Sequence, residues 1–221
     1  MAQAVPALGK TFDHVASGSA GEARGRTVRP AWKPILHTFL IATGLVGLAE
    51  IGDKTQLLAL VLAARFRKPW PIVAGILAAT LINHALASAL GAWLVSVTGP
   101  QLMRWILGIG FIAMALWTLV PDRFDEDDAP PRSSRGVFVT TLVAFFIAEM
   151  GDKTQIATVA LAAREQAMWG VVAGTTLGMM IANVPAVLLG DRLSGRLPIA
   201  WMHRGAALVF ALLGVATLLY S

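Results

Sequence analysis

The chain has 221 residues, of which 56% are hydrophobic and only 14% charged, with no cysteine and a formal net charge of +5. An ordinary soluble domain has about 45–50% apolar and about 25% charged residues, so a water-soluble globule and a disordered regulator are both excluded. The absence of cysteine removes disulfides, thiolate metal sites, iron–sulfur clusters and cysteine catalysis. The basic residues flank apolar runs, as they do at membrane boundaries, and form no nucleic-acid patch.

Residues 1–32 are polar and small, with Arg24, Arg26 and Arg29 near their end. They hold no apolar run long enough for a signal-peptide core and read as a mobile tail. Six apolar runs follow, at Ile35–Ala64, Trp70–Val97, Leu102–Val120, Val137–Ala163, Met168–Leu189 and Pro198–Tyr220. A bilayer core of about 30 Å needs about 20 apolar residues per helix, and buried backbone must bond internally. The expectation is therefore an all-α integral membrane protein with six spans.

The runs fall into two halves, 33–120 and 136–221, joined by an acidic loop at 121–135. That loop holds Asp125-Glu126-Asp127-Asp128 and reads as a solvated segment, since it lacks the spacing and glycine of a calcium loop. Six of the seven tryptophans, Trp70, Trp93, Trp105, Trp117, Trp169 and Trp201, lie mostly near run ends, as in an aromatic belt. Arginine and lysine in the 1–2, 3–4 and 5–6 connections place those on the cytoplasmic side, although the basic tail opposes this.

The chain also repeats itself. Ala49-Glu50-Ile51-Gly52-Asp53-Lys54-Thr55-Gln56 returns 99 residues later as Ala148-Glu149-Met150-Gly151-Asp152-Lys153-Thr154-Gln155. In the same register Ala63-Ala64-Arg65 matches Ala162-Ala163-Arg164, Gly75 matches Gly174, and Gly91 matches Gly190. Three helices per copy reverse the second copy relative to the first, so inverted-topology repeats are expected, their motifs meeting near mid-membrane.

Glu50, Asp53, Glu149 and Asp152 are the candidate metal ligands. On an unbroken helix, i and i+3 carboxylates share a face. A charge at the bilayer centre costs roughly 2.5–3.5 kcal/mol on insertion scales, so Lys54 and Lys153, bound cations or protons must neutralise them. Gly52 and Gly151 weaken the helix and permit unwinding. Thr55, Gln56, Thr154 and Gln155 add oxygens, giving a hard ligand set suited to Ca²⁺ or Mn²⁺. The competing structural reading is a pair of buried ion pairs, Glu50–Lys54 and Glu149–Lys153, that only fix helix packing. Asn83, His84 and Asn183 are expected to line the site or to bond between helices. His84 could relay protons. His37 and His203 read as interfacial, Thr80 and Thr175-Thr176 as back-bonding, and Gly108, Gly110, Ala113 and Ala115 as a close-contact surface.

The doubled Glu-x-Gly-Asp-Lys-Thr motif resembles uncharacterised protein family 0016, which includes transmembrane protein 165 and its yeast and bacterial relatives. The resemblance runs from about Ile35 to Tyr220, with both motif copies intact. It implies a secondary transporter exchanging Ca²⁺ or Mn²⁺ for protons, with metal-site acids carried over to Glu50, Asp53, Glu149 and Asp152. The compact chain looks bacterial, which implies an inner-membrane protein exporting Mn²⁺. Expected partners are divalent cations, protons and the lipid bilayer, with a homodimer as an open option and no cofactor beyond the transported ion. A metal-dependent lipid enzyme and an exporter of another substrate class, such as amino acids, are the rival readings. No constellation for a phosphate accompanies the acids, and a cation suits an acidic cluster better than a zwitterion does.

Overall fold

The computed structural model describes residues 32–120, 136–165, 167–189 and 199–220, which form eight α-helices and no strand among the described residues. They are α1 (Trp32–Glu50), α2 (Lys54–Phe66), α3 (Pro69–Val97), α4 (Pro100–Thr118), α5 (Val137–Glu149), α6 (Lys153–Glu165), α7 (Met168–Leu189) and α8 (Ile199–Tyr220). The expected tail at 1–31 and acidic loop at 121–135 lie outside the described residues.

Eight helices arise from six runs because two of the runs are broken. The first and fourth each divide at their motif, where Gly52 (φ 84°) and Gly151 (φ 76°) adopt left-handed backbone open to glycine. Between α1 and α2 the axis turns by 68°. The expectation of one unbroken helix carrying Glu and Asp on one face is therefore corrected. Glu50 and Glu149 close one helix, and Lys54 and Lys153 open the next.

Among the described residues four helices are long and apolar enough to cross a membrane: Pro69–Val97, Gln101–Thr118, Met168–Leu189 and Ala200–Leu219. The bent pair Ile35–Glu50 and Lys54–Phe66 makes a fifth span if counted as one. The fourth run does not qualify, because α5 has only 13 residues and α6 carries Lys153, Thr154, Gln155, Thr158, Arg164 and Glu165. Large apolar side chains such as Leu40, Leu86, Leu116, Ile147 and Leu208 are exposed, as are all six of those tryptophans. A surface so apolar is suited to lipid, and the chain is a multi-pass membrane protein.

The copies interlock in matched fashion. Gly75 of α3 lies so close to α5 that a Cβ would meet Thr141 Cβ at 2.8 Å and the Phe138 carbonyl at 2.9 Å. Gly174 of α7 lies equally close to α1, with the Phe39 carbonyl at 2.5 Å and Ala42 Cβ at 2.8 Å. Each of these residues has its counterpart 99 positions away, so each copy seats its second run on the broken run of the other. The third runs of the two copies, α4 and α8, pack on each other. There Gly108 accommodates Leu218, and Phe111 stacks on Phe210 at 6.3 Å. Gly110, expected at a helix contact, faces nothing within 4 Å.

The correspondence fails at the ends of α6 and α2. Glu165 closes α6, accepts a hydrogen bond from Thr38 Oγ1 of α1 at 3.1 Å, and takes another from Arg164 at 2.6 Å. His37 Nδ1 stands 3.9 Å from the same carboxylate. At the equivalent positions stand Phe66 and Val137, both packed on the apolar cluster that includes Leu58, Leu62, Ile72 and Ile76.

Candidate cation site

The helix breaks place the acids. At each break the Asp N–H returns to the Glu carbonyl at 3.1 Å, Asp53 to Glu50 and Asp152 to Glu149. The glycine N–H freed by the break is taken by the glutamine four residues on. Gly52 donates to Gln56 Oε1 at 2.9 Å, and Gly151 to Gln155 Oε1 at 2.7 Å. The threonine hydroxyl donates to the glutamate: Thr55 to Glu50 Oε2 at 2.7 Å, Thr154 to Glu149 Oε2 at 3.0 Å. The motif thus specifies its own break. Glycine turns the chain, glutamine satisfies the turned backbone, and threonine orients the carboxylate.

Asp53 sits at the N-cap of α2 in extended backbone, yet makes no side-chain cap. Aspartate usually caps at that position. Here its carboxylate joins the cluster instead. One ligand oxygen from each of Glu50, Asp53 and Asp152 lies within 4.8 Å of the others, and all three residues are buried. Glu149 is 1% exposed but is not among those three. Glu50 Oε1, Glu149 Oε1 and Asp152 Oδ2 are buried acceptors with no hydrogen-bond donor among the described residues. Thr154 and Asn183 of the second copy also face the Glu50 carboxylate. The positive ends of the α2 and α6 dipoles lie at the aspartates, which favours anionic side chains there. Carboxylates packed so closely repel each other unless positive charge enters among them.

The lysines do not support the competing reading of ion pairs within each copy. Lys54 Nζ lies 3.1 Å from Asp152 Oδ1 of the other copy. Lys153 Nζ donates to the Val120 carbonyl at 3.0 Å and sits 5.9 Å from the Trp117 ring centroid. Asn83, Gln56 and His84 are each held by a helix other than their own, whereas Asn183 bonds within α7. Asn83 Nδ2 donates to the Phe146 carbonyl at 3.2 Å, and Gln56 Nε2 to the Ala182 carbonyl at 2.9 Å. His84 Nδ1 lies 3.4 Å from Thr176 Oγ1, while Asn183 Nδ2 bonds back to the Met179 carbonyl at 3.1 Å. Thr175 back-bonds as expected, at 2.8 Å to Val171. Thr176 turns to His84 instead, and Thr80 Oγ1 has no partner among the described residues.

One residue was missed. His203 is buried rather than interfacial, and its Nε2 lies 2.9 Å from the Ile51 carbonyl. A carbonyl only accepts, so the ring carries its proton on Nε2. The bond ties α8 to a carbonyl inside the first break. A signal did exist: His203, Ala206, Phe210, Leu213 and Thr217 recur at helical spacing and are all buried.

Helices broken around buried acids, with half-helix termini turned toward the charge, are the build of a secondary ion transporter. Residues 38–126 and 137–221 match the family model described as divalent cation/proton antiporter GDT1, and the chain belongs to that family of cation/proton antiporters. It is 47% identical over 184 residues to a Vibrio cholerae protein named "Putative manganese exporter", an alignment covering 83% of this chain and 91% of that one. It is also 30% identical over 204 residues to the GDT1-like protein sll0615 of Synechocystis, covering 83% and 97%. The GDT1-like protein 5 of Arabidopsis thaliana is 26% identical over 222 residues, covering 84% and 96%. No solved structure matches. The family that the doubled motif suggested is borne out.

Proposed function

We propose that the chain exports Mn²⁺ from the cytoplasm of a bacterial cell, across the inner membrane, in exchange for protons. The carrying observation is the meeting of Glu50 and Asp53 from one copy with Asp152 from the other, oxygens within 4.8 Å, in a buried setting. Glu149, with its own undonated buried oxygen, completes the set of four acids. Oxygen ligands without thiolate suit Mn²⁺ or Ca²⁺, and the name of the Vibrio cholerae relative favours Mn²⁺. Gly52, Gly151, Thr55, Thr154, Gln56 and Gln155 shape the site. Asn83, His84 and Asn183 line its surroundings.

The two copies act as inverted three-helix halves, each broken run serving as one crossing, with the site alternately open to either side. The clustered carboxylates need positive charge, and one divalent ion or two protons supply the same amount of it. The empty, fully ionised site is the costly state in a low dielectric, and avoiding it couples the two fluxes at two protons per ion. The molecule carries an ion and catalyses no reaction.

The test is uptake of radioactive Mn²⁺ into proteoliposomes under an imposed pH gradient, beside Ca²⁺ and Mg²⁺. Mn²⁺ flux with counter-movement of protons is expected. Flux indifferent to the gradient would end the proposal. Single cysteines at Arg67 and Glu165, in a chain with none of its own, should label from opposite sides of the membrane. Labelling from one side would end the inverted arrangement.

A further inference from the structure

We propose that the Lys54 ammonium is a built-in competitor of the transported cation, holding Asp152 until an arriving ion displaces it. The inference rests on reading Glu50, Asp53 and Asp152 as the cation site.

Lys54 crosses from one copy to the other to reach Asp152 Oδ1 at 3.1 Å, while Asp152 Oδ2 accepts no hydrogen bond. The carboxylate is therefore half engaged. Asp152 also belongs to the group of oxygens within 4.8 Å of one another. A divalent ion bound there would stand within a few ångströms of Nζ, and like charges at that separation repel strongly away from bulk water. Ammonium and metal cannot share Asp152.

Lys54 is built to leave. Its side chain is 31% exposed, against 3% for Asp152. It is the first residue of α2, two positions after the left-handed Gly52. Lysine is a compact, strongly hydrated charge on a flexible four-carbon stem, so it can swing off Asp152 without moving the helix. Its counterpart Lys153 is 6% exposed, with the Val120 carbonyl and the Trp117 ring beside its ammonium. The exchangeable ammonium is thus assigned to the first copy alone.

Three measurements on the full-length protein in nanodiscs test this, with Mn²⁺ as the probe. An amine-reactive acetylating reagent, read by mass spectrometry, should modify Lys54 several-fold faster when Mn²⁺ is present, with Lys68 as the unchanged reference. Lys54→Gln should bind Mn²⁺ at least about tenfold more tightly in equilibrium binding. Lys54→Arg, whose planar fork grips a carboxylate bidentately, should bind it more weakly than the unaltered protein. The opposite signs keep the test usable if one variant fails to fold. Unchanged acetylation in the presence of bound Mn²⁺ would overturn the inference, as would Gln and Arg variants shifted in the same direction. Asp53→Asn separates the two readings. If it binds Mn²⁺ normally, the cation site is wrong; if it loses binding while Lys54 fails these tests, only the competitor is wrong.

Discussion

In the first copy Thr55 bonds Glu50 and Gln56 takes the Gly52 N–H; in the second, Thr154 and Gln155 do the same for Glu149 and Gly151. The paired bonds have nearly equal lengths. The lysine of each motif breaks the agreement, for Lys54 goes to an aspartate and Lys153 to a carbonyl and an indole. Bonds that close within one copy are fixed by local spacing and repeat wherever the motif does. Bonds that leave the copy depend on what faces it, and the facing residues have diverged. Trp117 and Val120 lie at the end of the third run. The residues 99 positions on are Ala216 and Leu219, so the matched place in the second copy offers no indole.

Changes at the shared centre should have the largest effect. The double variant Glu50→Gln/Glu149→Gln should lose Mn²⁺ transport in proteoliposomes, by more than the roughly 10–100-fold that loss of an outer-sphere partner costs a metal site. Residual normal transport would show that the copies do not share one site. Next come the matched close approaches. Gly75→Ala and Gly174→Ala each force a Cβ onto a neighbouring carbonyl, and each should cost about 1–3 kcal/mol as overpacking. Thermal unfolding in detergent should show similar losses, and a loss in only one would break the equivalence of the halves.

Smaller effects sharpen the comparison at the motif itself. Thr55→Val and Thr154→Val each remove a hydrogen bond to a carboxylate, typically about 1.5–3 kcal/mol when the group is charged. Both should weaken equilibrium Mn²⁺ binding, and the two should agree within about threefold. The smallest expected effect is Gly151→Ala. No neighbour lies within 4 Å of the added Cβ, so only the backbone penalty of about 1–2 kcal/mol applies. A larger loss of thermal stability would mean that the break is held by more than its glycine.

Most of the site was legible because it is written twice. The acids, the glycine break and the oxygen-rich surround follow from one eight-residue string and its copy. The break appeared only as a permission, since glycine in a helix need not unwind it; the glutamine that accepts the freed N–H is what makes the break favourable. Helix faces were therefore misassigned, and which acid either lysine would meet stayed open. The Lys54–Asp152 pair joins residues 98 positions apart, and no local pattern encodes such a contact. His203 was missed because a lone histidine near a run end defaults to the interface. Its buried spacing with Phe210 and Thr217 would have corrected that. The fourth run reads differently from the first: its first half is short and apolar and its second half is polar, so the pair does not meet the length and composition of a span.

The unlike ends of α6 and α2 give one molecule two fastenings of different physical kind. Glu165 is held by a hydroxyl and a guanidinium, while Phe66 and Val137 pack on an apolar cluster. Ionic strength weakens partly exposed charge contacts, and excluded salts such as sulfate strengthen apolar burial. Adding sulfate should therefore loosen one end while tightening the other. Cooling acts selectively as well, because apolar association fades at low temperature. Salt and temperature thus act differently on the two fastenings.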